Sequence, residues 1–133
     1  MKSQKNSVLV LDDDPIVTDY LKYSLQRMSF EPTVVHNSTI LDTKKIHSFR
    51  YVILDLWMSD TFGTEALDKL IAADFKGGVI LITGFLTDRL PEIASYGSRK
   101  GLTILGVLEK PFPEQGLARL LDPRLMGGQP YAS

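Results

Sequence analysis

The sequence predicts an α/β fold, a doubly wound sheet of five parallel strands with helices on both faces. Two observations carry this expectation. Four short apolar runs, "VLVL" (8–11), "YVIL" (51–54), "VILI" (79–82) and "ILGVL" (104–108), are rich in β-branched residues and do not alternate with polar ones. Strands covered on both faces read that way. Between the runs lie stretches with apolar residues at helical spacing, and strands that alternate with helices imply crossover connections and a parallel sheet. At 133 residues the chain has the length of one domain, long enough to bury a core.

In chain order, "VLVL" is the first strand. Residues 15–28 follow as a helix, with Ile16, Val17, Tyr20, Leu21, Leu25 and Met28 on one stripe and Pro15 suited to the first turn. "TVVH" (33–36), after Pro32, is a weaker second strand, and residues 39–49 make a weak helix. "YVIL" is the third strand. The segment "TEALDKLIAADF" (64–75) spaces Ala66, Leu67, Leu70, Ile71 and Phe75 as a helix stopped by "KGG" (76–78). "VILI" is the fourth strand. Leu86, Leu90, Ile93 and Gly97 mark another helix, interrupted by Pro91. "ILGVL" is the fifth strand and "PEQGLARLL" (113–121) the last helix, before a tail rich in Pro and Gly. Five strands of this kind fit the flavodoxin-like order 2-1-3-4-5.

Composition excludes several classes. Apolar residues make up 44% and charged residues 23%, the net charge is -1 and the pI is near 6.1, so there is no global basic field for nucleic acid or lipid. With no cysteine, disulfides and thiolate metal sites are excluded. No apolar run approaches the roughly 20 residues of a membrane span, and "MKSQKNS" does not look like a secretion signal. A cytoplasmic protein without direct contact to nucleic acid or membrane is expected.

Each of the four apolar strand runs is followed by a residue able to do chemistry. The first ends in Asp12, Asp13 and Asp14, the third in Asp55, the fourth in Thr83, and the fifth leads through Glu109 to Lys110. Functional crevices of doubly wound sheets lie beyond the carboxyl ends of the strands, where the strand order switches. The order 2-1-3-4-5 therefore gathers Asp12, Asp13 and Asp55, with Thr83 and Lys110 on the same rim. Adjacent carboxylates repel, and a hard, oxygen-loving cation compensates them; Mg²⁺, with Mn²⁺ as its substitute, suits such a site. Asp55 can then act as a nucleophile toward phosphorus, while Lys110 and Thr83 meet the phosphoryl oxygens. Asp14, just before Pro15, reads as the helix cap. His36 and His47 read as surface or packing residues, and Lys44 and Lys45 as a solvated face.

"VLVLDDDP", "YVILDLWMSDTFG", "ILITG" and "EKPF" together resemble the signatures of the CheY-like response-regulator receiver domain of two-component signalling, over residues 7–122. The resemblance implies a receiver domain at 1–122, with 123–133 a flexible tail or the start of a linker. It implies that Asp55 is the phosphoacceptor, that Asp13, Asp55 and the Trp57 backbone carbonyl bind Mg²⁺ directly, and that Asp12 acts through water. Thr83 is then the switch hydroxyl and Lys110 precedes a typically cis Pro111. The implied partner is a histidine kinase or phosphotransfer protein. "GLTILGVLEKPF" is similar to receivers that precede EAL-type output domains. Two positions depart from the family: Ser59 stands where Pro is usual, and Val107 where Tyr or Phe is common. Trp57 and Phe85 occupy the positions expected to flank the water that hydrolyses an aspartyl phosphate, which implies slow dephosphorylation.

Two alternatives compete. An aspartyl-phosphate phosphohydrolase of the haloacid-dehalogenase type resembles D-x-D, but Asp55-Leu56-Trp57 has no carboxylate at its third position to act as acid and base. The chain is accordingly expected to catalyse only its own phosphorylation and dephosphorylation. A degenerate receiver that serves only as an interaction module is disfavoured by the intact Asp12, Asp13, Asp55 and Lys110.

Overall fold

The computed structural model describes residues 6–36, 44–56, 64–84 and 90–121. Strands β1 (Ser7–Leu11), β2 (Glu31–Val35), β3 (Tyr51–Asp55), β4 (Gly78–Thr83) and β5 (Thr103–Glu109) form one sheet in the order β2-β1-β3-β4-β5. Every neighbouring pair is parallel. The expected doubly wound, flavodoxin-like order is therefore the observed one. β2 takes an edge, which explains how it tolerates Pro32, a residue with no N–H for a second neighbour.

Helices α1 (Pro15–Arg27), α2 (Thr64–Ala72), α3 (Leu90–Arg99) and α4 (Glu114–Leu121) divide between the two faces. Leu21 and Leu25 of α1 and Leu117, Leu120 and Leu121 of α4 pack with Val8, Val10, Ile53, Ile80 and Ile82. Leu67 and Leu70 of α2 and Ile93 of α3 pack with Leu9, Leu11, Val52, Leu54, Val79 and Leu81 on the other face. The central strands thus bury both sets of their alternating side chains, and this is why their sequences read as unbroken apolar runs. β5 adds a bulge at Leu105, since Val79 pairs with Ile104 and Ile80 with Gly106. The extra residue resets the alternation, so Ile104 and Val107 both reach the α2/α3 side while Leu105 and Leu108 reach the α1/α4 side.

Three helices end in the same way. After α1, α2 and α3 a residue turns left-handed: Ser29 at φ 70, Asp74 at φ 57 and Gly101 at φ 105. The next N–H reaches back to the last turn, Phe30 to the Leu25 carbonyl, Phe75 to Leu70 and Leu102 to Gly97, at 2.9, 3.0 and 3.0 Å. Phe75 and Leu102 then enter the core and Phe30 packs against it, and this apolar anchor is what lets Ser29 and Asp74 adopt a conformation that glycine adopts without strain.

Three sequence expectations are corrected. Asp74, not the following "KGG", stops α2. Pro91 sits at the start of α3, where its missing N–H costs nothing, rather than interrupting it. In the range expected as a weak helix (39–49), the described part holds a 3₁₀ turn, Ile46–Ser48, whose Ile46 is buried; residues 39–43 lie outside the described residues.

Candidate functional site

β1 and β3 run side by side with Val10 opposite Ile53 and Leu11 opposite Leu54. The next pair in that register is Asp12 and Asp55. Both are buried, at 0% and 1% exposure, and so is Thr83 at 3%. Thr83 ends β4, and its carbonyl accepts from the Lys110 N–H at 2.8 Å, which fixes Lys110 just past β5. The Lys110–Pro111 peptide is cis.

From there the Lys110 ammonium reaches both carboxylates. Nζ lies 3.1 Å from Oδ2 of Asp55, to which it donates a hydrogen bond, and 3.1 Å from Oδ2 of Asp12. Burial pushes the Lys110 pKa down, but the carboxylates of Asp12 and Asp55 outweigh it and hold the ammonium above its ordinary value. The sheet has thus brought two buried like charges together and placed one cation between them.

One cation does not complete the site. Asp12 Oδ1 accepts from the Asp14 N–H at 2.9 Å. Its other oxygen, Oδ2, is buried and meets the Lys110 ammonium at 3.1 Å as an ion pair. Asp13, partly buried, joins them, so that carboxylate oxygens of Asp12, Asp13 and Asp55 all lie within 4.8 Å of one another. Three carboxylates so close together present hard oxygen donors that fit a Mg²⁺-type ion. Trp57, whose carbonyl the resemblance adds to this set, lies outside the described residues, as do Ser59 and Phe85.

Neighbouring elements hold the site in place. Asp14 caps α1, its side chain accepting from the Ile16 N–H at 3.0 Å. Two residues that the sequence did not single out for the site also support it. His36, just past β2, places Nδ1 3.0 Å from the Asp12 carbonyl, so this exposed ring lies beside the acidic loop, although it is far from it in sequence. Tyr20 of α1 donates its hydroxyl to the Phe112 carbonyl at 2.8 Å and packs edge-on against the Phe112 ring at 5.7 Å. This ties α1 to the segment that carries Lys110. Neither contact has a local signal in the sequence, because each joins residues brought together only by the strand order. Val107, in place of an aromatic, packs against the α2/α3 core.

No protein-family model matches the chain. It is 25% identical over 129 residues to the transcriptional regulatory protein FixJ of Bradyrhizobium diazoefficiens, covering 96% of this chain and 60% of that protein. It is 31% identical over 114 residues to the C4-dicarboxylate transport transcriptional regulatory protein DctD of Pseudomonas aeruginosa, covering 85% of this chain and 24% of that protein. The chain therefore spans less than two thirds of the length of these relatives. Among solved structures, a response regulator from Burkholderia pseudomallei with a phosphorylated aspartic acid, calcium ion and citrate matches with a TM-score of 0.67 at 20% identity, over 92% of this chain and 69% of that one. The architecture is that of response-regulator receivers.

Proposed function

We propose that this chain is a phosphoacceptor receiver domain, which takes a phosphoryl group from a histidine kinase or phosphotransfer protein onto Asp55 and so switches a downstream output. The observation that carries the reading is the Asp12–Lys110–Asp55 arrangement beside Asp13. A nucleophilic carboxylate, a fixed cation and an acidic metal-type cluster converge at the strand-order switch. The similar Burkholderia protein with its phosphorylated aspartic acid supports the same assignment.

In this mechanism an Asp55 carboxylate oxygen attacks phosphorus as the bond from phosphorus to the donor's imidazole nitrogen breaks, and the imidazole departs. Burial of Asp55 excludes competing water. Lys110 leaves its ion pair with Asp55 and meets the phosphoryl oxygens, and the Thr83 hydroxyl donates to one of them. Asp12, Asp13 and Asp55 would hold Mg²⁺, which when bound neutralises charge on the transferring group. Trp57, through its carbonyl, belongs to the proposed ligand set.

A docking place for the donor lies next to this site. A groove of about 450 Å³ runs between α1 and the Lys110–Phe112 segment, and Ile16, 80% exposed, stands at its edge. For the output, the relatives named as transcriptional regulators support control of transcription rather than the EAL-type output suggested by the likeness of "GLTILGVLEKPF" (101–112) to receivers that precede such domains. No described helix is long and apolar enough to cross a membrane.

Incubation with acetyl phosphate and Mg²⁺ tests the reading. Intact-mass measurement should show one added phosphoryl group, labile in alkali as an acyl phosphate is, and chelation with EDTA should prevent the gain. Uptake of none, or of an alkali-stable group, overturns the proposal.

Mg²⁺ should also raise thermal stability by mass action. At about 100 times its dissociation constant the gain is about 2.7 kcal/mol, and Asp13→Asn should lose most of it. Equal protection of that variant in a melting experiment would remove Asp13 from the ligand set.

A further inference from the structure

The opposite end of the sheet holds a second cleft, of about 730 Å³, at the starts of β3, β4 and β5. Its volume is that of a small-molecule site. Three basic side chains line it, His47, Arg50 and Lys76, and its lining includes no carboxylate. The acidic residue beside it, Asp74, pairs with Lys76 at 3.0 Å, but both side chains are about three-quarters exposed, at 76% and 74%. An ion pair so open to water does little to neutralise the cleft. Arg50 and Lys76 therefore place positive charge at the N-terminal ends of the strands in a chain whose net charge is -1, while the buried carboxylates stand at the other end.

The walls are aromatic and firm. Phe49 and Tyr51 line the cleft and are half-buried, and the Arg50 guanidinium lies 5.4 Å from the Tyr51 ring centroid. Gly77 and Gly78 bring the strand starts into close approach. A Cβ on Gly77 would overlap the Arg50 carbonyl oxygen, and one on Gly78 the Leu105 side chain. The backbone of the wall is thus packed closely against its neighbours at Gly77 and Gly78. Tyr51 carries any occupant's effect further, since its hydroxyl donates to the Leu121 carbonyl at the end of α4, 3.1 Å away.

We propose that this cleft binds a phosphorylated ligand with a planar ring, of the nucleotide class, its phosphates on Arg50 and Lys76 and its ring on Phe49. Guanidinium and ammonium groups suit phosphate, and an aromatic wall suits a base. The proposal is independent of Asp55 chemistry.

Titration of ¹⁵N-labelled protein with ADP in the presence of EDTA tests it, with inorganic phosphate and adenosine as separate arms. ADP should shift the amides of Arg50, Tyr51, Gly77 and Thr103 saturably, with a smaller shift at Leu121. Each half-ligand should bind about ten-fold or more weakly, as expected when about 1.4 kcal/mol is lost. The double variant Arg50→Gln, Lys76→Gln changes only exposed side-chain ends and should weaken ADP by about ten-fold or more, with unchanged amide shifts elsewhere. The assignment is overturned by absence of saturable shifts, by shifts confined to Asp12, Asp55 and Lys110, by undiminished affinity in the double variant, or by phosphate alone binding as tightly as ADP.

Discussion

Asp55→Asn should take up no phosphoryl group from acetyl phosphate, where the unmodified protein should take up one. An amide oxygen carries no full negative charge and forms no stable acyl phosphate, so the substitution removes the nucleophile while keeping the shape of the side chain. The fold should survive. Asn fits the same buried volume, and Lys110 keeps Asp12 at 3.1 Å as its partner. Removal of one of two buried like charges offsets the lost ion pair. The variant should therefore melt cooperatively, close to the parent in the absence of metal. Its response to Mg²⁺ should weaken, because one of three clustered carboxylates is gone. Full phosphorylation of the folded variant would place the acceptor elsewhere and remove the basis of the proposed function.

The central strands and the carboxylates that follow them were legible because one physical constraint writes both. A strand covered on two faces must be apolar throughout, so the polar residue that ends it stands out, and the strand order then decides which of those residues meet. Asp12, Asp55, Thr83 and Lys110 were found in this way. The helix ends were harder to read, because Ser29 and Asp74 hold left-handed turns only through the apolar residue that follows and packs inward. Pro91 was misjudged because the helix was expected to begin before it. The supporting contacts of Tyr20 and His36 span 92 and 24 residues, and no periodicity records such pairings. The basic cleft has no local signal for the same reason: His47 and Arg50 precede β3 and Lys76 precedes β4, and they meet only across the starts of those parallel strands.

Lys110→Met should both destabilise the protein and disable it, and the pH dependence of the loss identifies the cause. Met matches the length of the lysine stem but leaves Asp12 and Asp55 buried side by side without the ammonium. Removal of one partner from a buried ionic cluster costs about 3 kcal/mol, which lowers the melting temperature by roughly 10 °C in a domain of this size. In the parent, the Lys110 pKa is raised in the folded state, with burial opposing and the two carboxylates prevailing. A raised lysine pKa stabilises the fold at every pH below the unfolded lysine value and ceases to do so as pH climbs through the folded one. The parent and Lys110→Met should therefore differ by a constant amount near neutrality and converge in strong alkali, as the parent ammonium is lost. Adding Asp55→Asn to Lys110→Met should recover much of the lost stability, a non-additivity expected only of groups in contact. If instead Lys110→Met is equally unstable at every pH and gains nothing from Asp55→Asn, then Lys110 acts through the packing of its stem. Its charge would then have no part in holding the site together.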